Sequence, residues 1–233
     1  MFSISSDRSF WQTATRRDLG AIGVLSGAVG AVGLAYGAQS AAAGLPLWFA
    51  PALGLAVYAA SAEMLFVGVL AAGGSAWLAA VAALAVNARH LPYGVAVRHL
   101  VGPGRRGLLR AHLVNDESVA FGLARAAERG STRAGRDALT SAGVAMLVAW
   151  PAGSLVGGLL GRAVDVRAVG LDALFPVVLL ALVLPGLATR QTRLAVLAAA
   201  ALATAAVPAV PAGLAPLLGL AALPLTQAGR RRG

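Results

Sequence analysis

Apolar runs long enough to cross a membrane, repeated along the whole chain, set the frame for what this sequence can become. A spanning helix needs about 20 mostly apolar residues at ~1.5 Å rise per residue. Candidate runs lie at 19–43, 47–72, 75–97, 108–124, 137–161, 171–188, 193–208 and 211–226. The run at 108–124 is short and the most polar. The last two are also short and are split by Pro208 and Pro211. Eight spans are expected, or seven if one short segment is re-entrant. Composition agrees: 58% of residues are hydrophobic and only 12% charged, against about 25% charged in soluble domains. The expected fold is an all-α integral membrane bundle of 7–8 transmembrane helices, with spans interrupted by proline and glycine. It would form one transmembrane domain at 19–226, between an interfacial N-terminal segment (1–18) and a basic tail (227–233).

The chain is strongly basic, with 19 arginines, no lysine, nine acids and a net charge of +10. No basic stripe with interleaved aromatics points to nucleic acid. The arginines fall between the apolar runs, as loop charges that orient spans and meet anionic lipid heads do. With the N-terminus inside, the inner segments hold Arg8, Arg16, Arg17, Arg125, Arg129, Arg133, Arg136, Arg190, Arg193 and Arg230–Arg232. That is twelve, against six at Arg98, Arg105, Arg106, Arg110, Arg162 and Arg167. The cluster at 98–110 fits this topology badly. A preceding segment that dips in and returns on the same side would remove the conflict. The apolar run from Leu19 exceeds a signal-peptide core. There is no cysteine, so thiol chemistry and disulfides are excluded. No Walker A motif, GxSxG or phosphate-cradling loop occurs. No cofactor or resident metal is expected.

Glycine is abundant, at 29 residues. Gly153, Gly157 and Gly161 place a smooth stripe on one helix, which reads as close helix packing. Pro51, Pro92, Pro151, Pro176 and Pro185 lie in or beside spans. Helix breaks at membrane depth persist only where protein or a watery cavity satisfies the freed backbone groups.

Ionisable residues within such runs cost about 2.5–3.5 kcal/mol or more each and mark candidate sites. Glu63 sits midway along the second run. It must be protonated, paired with a cation from another helix, or wet; a static structural pair is the plain alternative. A second knot, "NARHLPYG", holds Asn87, Arg89, His90 and Tyr93. Helical spacing puts Asn87, His90 and Gly94 on one face, with Arg89 and Tyr93 on the next. Arg89 keeps its proton and needs an anion, unless it snorkels to lipid heads. A third knot, "HLVNDES", holds His112, Asn115, Asp116 and Glu117. His112 and Asp116, four apart, could touch across a helical turn. An interfacial amphipathic helix is the alternative. A metal set from His112, Asp116 and Glu117 is a further alternative.

With these knots in view, the chain resembles the AzlC family, the large subunits of bacterial branched-chain amino-acid exporters. The likeness lies in "LAVYAASAEMLF…LAVNARHLPYGVAV", "HLVNDESVAFGLA" and "WPAGSLVGGLLG…VGLDALFPVVLLALV", and covers about residues 20–190. Glu63 stands where the family usually has Gln, Asn115 where it has Thr, and Val119 at its Phe position. The resemblance implies a permease in the bacterial inner membrane and a small hydrophobic AzlD-type partner subunit, with no catalytic reaction. The expected function is export of branched-chain or other small apolar amino acids, driven by an ion gradient. Expected substrate-binding residues are Glu63, Asn87, Arg89, Tyr93, Asn115 and Asp116, with His90, His112 and Glu117 expected to couple protons. A membrane-embedded enzyme and a non-transporting scaffold are the rival readings.

Overall fold

The computed structural model describes residues 16–163, 189–210 and 218–222, together with Leu184 and Leu187. Most of the expected spans at 171–188 and 211–226, the segment before Arg16 and the basic tail lie outside the described residues. Among the described residues all regular structure is helical. The helices are α1 (Arg16–Ala42), α2 (Phe49–Ala56), α3 (Ala60–Ala71), α4 (Ala76–Asn87), α5 (His90–Val101), α6 (Gly104–His112), α7 (Asp116–Arg129), α8 (Thr132–Ala163) and α9 (Arg190–Ala206). A short 3₁₀ turn, Gly219–Ala222, packs on α9.

The frame is α1 against α8, the two helices long and apolar enough to cross a membrane. Both run the same way: Gly30 meets Gly153, Gly33 meets Trp150 and Ser154, and Gly37 meets Ser154 and Gly158. Glycine makes this contact possible. A Cβ on Gly37 would stand 1.8 Å from the Ser154 carbonyl oxygen, and one on Gly157 would stand 2.0 Å from that of Leu34. The small-residue stripe is therefore a packing surface that brings two backbones together. At one end of the frame the buried Asp18 carboxylate pairs with Arg125 at 2.7 Å and Arg129 at 2.6 Å. At the other end Arg162 donates to the Leu45 carbonyl at 3.3 Å. We call these the arginine end and the Leu45 end.

Two pairs of short helices are hairpins. α2 enters from the Leu45 end, the chain reverses at residues 57–59, and α3 runs back out. Phe49 stacks on Phe66 with ring centres 6.1 Å apart, and Gly68 approaches the Gln39 side chain near the end of α1. α6 and α7 do the same from the arginine end, reversing at residues 113–115. Along the returning arm, Leu113 packs on Gly143, Gly122 on Leu139 and Ala126 on Gly135, so α7 runs antiparallel to α8. Between the hairpins, α4 and α5 carry the chain from one end to the other with a break at Ala88–Arg89.

This corrects the expected crossings at 47–72 and 108–124. Helices of 8 to 14 residues reach only ~12–21 Å at ~1.5 Å per residue, short of the ~30 Å hydrocarbon core. The hairpin at 49–71 reverses the direction of α4 and α5, and the hairpin at 104–129 restores that of α8. Arg98, Arg105, Arg106 and Arg110 therefore join Arg16, Arg17, Arg125, Arg129, Arg133 and Arg136 at one end. The juxtaposition is direct. Arg110 donates to the Val101 carbonyl, and Arg136 donates to that of Leu100 at 2.9 Å, together capping the last turn of α5. The misfit at 98–110 disappears.

The order is also repeated. A long helix followed by a hairpin entering from its far end describes 16–71. The broken helix α4–α5 followed by the α6–α7 hairpin describes 76–129, with the direction inverted. Inverted repeats of this kind place a site where the broken elements meet.

Candidate functional site

The two hairpin tips meet in the middle of the molecule. At the first, Tyr58 is a non-glycine residue at φ 54°, a strained backbone that the surroundings must hold in place. Its hydroxyl donates to the Gly143 carbonyl of α8 at 2.8 Å. At the second, Asn115 and Ser118 form a reciprocal cap. The Asn115 side chain accepts from the Ser118 N–H at 2.8 Å, and the Ser118 hydroxyl accepts from the Asn115 N–H at 3.0 Å. Such caps satisfy backbone donors that a new helix start leaves unpaired. His112 reaches across, its Nε2–H donating to the Leu55 carbonyl at 2.9 Å, with its ring 5.9 Å from that of Tyr58.

Arg89 sits at the third break, between α4 and α5. It is held at 2.9 Å by the Asp116 carboxylate and at 2.9 Å by the Ser61 hydroxyl. Ser61 is in the first turn of α3 and Asp116 opens α7. Each lies five residues before a phenylalanine, Phe66 or Phe121. The two hairpins thus grip one guanidinium with corresponding positions. The ion pair is accessible, with side-chain exposures of 40% and 37%. It lines a central cavity of about 380 Å³ whose other walls are Val29 and Val32 of α1, Ala60 and Trp150. Asp116 keeps its second oxygen, Oδ1, buried and without a hydrogen-bond partner among the described residues. Glu117, Asn115 and His90 also line this cavity.

A second cavity of about 420 Å³ lies toward the arginine end. Asn87, His90, Gly94, Arg98 and His112 are among its walls. The expected common face of Asn87, His90 and Gly94 is therefore intact across the break. His90 donates from Nδ1 to the Asn87 carbonyl at 3.1 Å, so in the neutral ring Nε2 carries the lone pair. That Nε2 and the Asn87 Oδ1 are both buried without a partner among the described residues. Tyr93 meets the His90 ring edge-on at 5.9 Å.

Glu63 stands apart from this group. It is 1% exposed and faces neither Arg89 nor the central cavity. One oxygen accepts from the Ala59 N–H at 2.8 Å at the start of α3. The other accepts from the Trp150 indole N–H at 3.0 Å, and that indole stacks on Tyr36. Its charge neighbourhood is built from backbone and indole donors rather than a cation. Beside it lies a separate apolar pocket of about 240 Å³ with Leu53 and Phe66. His112 and Asp116 are on different helices, so the one-turn contact expected of them is not made. The loose metal set with Glu117 is not assembled among the described residues.

Sequence reasoning missed Ser61, Tyr58, Trp150 and Asp18. The turn at Asn115 carried a readable signal, Asn-x-x-Ser ahead of an apolar stretch. Tyr58 and Ser61 carried none.

Glu63→Ala leaves two buried N–H donors without an acceptor, at about 1–3 kcal/mol each. The expected result is a lower thermal midpoint for the purified protein in detergent. Trp150→Phe should lose less, because it removes one donor together with its need.

Residues 25–164 match a family model described as AzlC protein, a stretch that takes in all but the first turns of α1 and runs through α8. No curated protein and no solved structure matches the chain. The family is associated with branched-chain amino-acid transport, and its members work with a small partner subunit. A match over more than half the chain, on a helical bundle with apolar crossing helices, places this protein: it belongs to the AzlC family of membrane transport proteins.

Proposed function

We propose that the protein is the large subunit of a gradient-driven exporter of branched-chain or other small apolar amino acids. The observation that carries this reading is the half-exposed Arg89–Asp116 pair, set in the wall of an otherwise largely apolar 380 Å³ cavity between two helix breaks. A zwitterionic amino acid can take the place of that internal ion pair. Its carboxylate would receive Arg89 as a forked donor. Its ammonium would be met by Asp116, whose Oδ1 has no other partner among the described residues. Asn115 and the first N–H groups of α7 lie at the positive end of a helix, where a carboxylate is favoured. Val29, Val32 and the neighbouring alanines accept an aliphatic side chain. Asn87 and Tyr93 shape the approach, and Glu63 holds the α3 tip from behind. His90, His112 and Glu117 are the groups through which protons would couple to the cycle.

The crowding of arginine at one end supports a cytoplasmic placement for that end and for the N-terminus, in the inner membrane of a bacterium. A small, very apolar subunit of the AzlD type completes the transporter. The experiment is flux of labelled leucine, isoleucine, valine and methionine in proteoliposomes carrying the chain with its companion. Saturable, gradient-dependent flux of at least one is expected. Flux no greater than in protein-free vesicles for all four would end this reading.

A further inference from the structure

The central cavity and the arginine-end cavity share two wall residues, Tyr58 and His90. We propose that the Tyr58 side chain is the gate between them, making the 420 Å³ cavity the vestibule through which solutes from the arginine end reach Arg89 and Asp116. The proposal rests on the reading of the central cavity as the transport site, and it names the residue that controls access to it.

Three observations converge on Tyr58. It is the tip of one hairpin and lies against His112, at the end of the first arm of the other. Any change in the spacing of the two tips must therefore move this contact. Its hydroxyl is tied to Gly143 on the long helix α8, and Gly143 itself packs against Leu113 at the second tip. One hydrogen bond thus fastens the first tip to the frame at the place where the second tip also rests. Finally, its backbone is held at φ 54°, a conformation costing about 1–3 kcal/mol for a side-chain-bearing residue. His90 forms the opposite jamb, with its Nε2 buried without a partner.

The absence of cysteine makes an accessibility experiment clean. Ala60 lines the central cavity and Ala111 the vestibule. Ala60→Cys and Ala111→Cys are made singly in the full chain, co-expressed with its companion, and membrane vesicles are labelled with a membrane-impermeant maleimide from the arginine end. Ala111→Cys should label readily and Ala60→Cys at least tenfold more slowly. Tyr58→Gly keeps a residue suited to the positive φ and removes the ring. It should raise the Ala60→Cys rate about tenfold and leave Ala111→Cys unchanged, with a parent-like monodisperse peak in detergent chromatography reporting that the fold is intact. Tyr58→Phe, which keeps the ring, should stay closer to the parent than Tyr58→Gly. Equal labelling of the two cysteines in the parent, or no acceleration by Tyr58→Gly, overturns the gate. The readout needs no substrate, so a chain that carries none of the four amino acids would sink the transport reading while leaving this result to stand or fall alone.

Discussion

If the proposed site is right, Arg89→Ala and Asp116→Ala should each reduce saturable amino-acid flux at limiting substrate by about 10- to 100-fold. The magnitude follows from losing one charge-assisted contact to the substrate, about 1.5–3 kcal/mol, at 1.4 kcal/mol per decade. Truncation alone does not separate a substrate anchor from a structural ion pair, because either role is damaged by it. The double exchange Arg89→Asp with Asp116→Arg does. It restores opposite charges at the two positions, so thermal stability should return toward that of the parent. Flux should not return, because the cavity now presents its cation on α7 and its anion at the α4–α5 break, reversing the polarity a bound amino acid requires. Recovery of stability and flux together would reduce the pair to a structural role.

Gly37→Leu should abolish the folded state. Even the first carbon of a side chain at this position would stand 1.8 Å from the Ser154 oxygen and 2.7 Å from the Gly158 nitrogen, and both are backbone atoms that no rotamer change can move aside. α1 and α8 must then separate along their length. Overpacking of this kind costs about 1–3 kcal/mol when neighbours can yield, and more here because they cannot. The expected result is loss of the monodisperse peak in detergent chromatography. Gly27→Ala on the same helix, where a Cβ meets nothing within 4 Å, should leave that peak intact. A normal elution profile for Gly37→Leu would mean that the two helices do not touch there.

The contrast between these sites shows what the sequence could disclose. The glycine stripe was legible because close approach needs a residue type that has no substitute. The polar knots were legible because buried charge is rare and costly, and Arg89 and Asp116 do meet. The reversals at 57–59 and 113–115 were not legible from hydropathy. An apolar stretch reads the same whether the chain continues through it or doubles back, and Val57, Tyr58 and Ala59 include neither proline nor glycine. One false step produced several others. Treating 108–124 as a single helix put His112 and Asp116 one turn apart and placed Arg98–Arg110 opposite Arg136. Glu63 misled for a different reason. An acid in an apolar run invites a search for a cation, whereas Trp150 and the Ala59 backbone supply its donors, and an indole 87 residues away leaves no local pattern to detect.

The shared frame also imposes a schedule on biosynthesis. The first hairpin leaves the ribosome before α8, which carries the surfaces that seat it. Tyr58 is anchored by Gly143 and Glu63 by Trp150, both on α8. Neither arm is long enough to be threaded across a bilayer alone. Pairings so distant along the chain close slowly. Residues 49–71 must therefore wait, half-seated, until the chain has been made beyond residue 150. A stalled or truncated product would leave them without a dock, exposed to quality-control proteolysis.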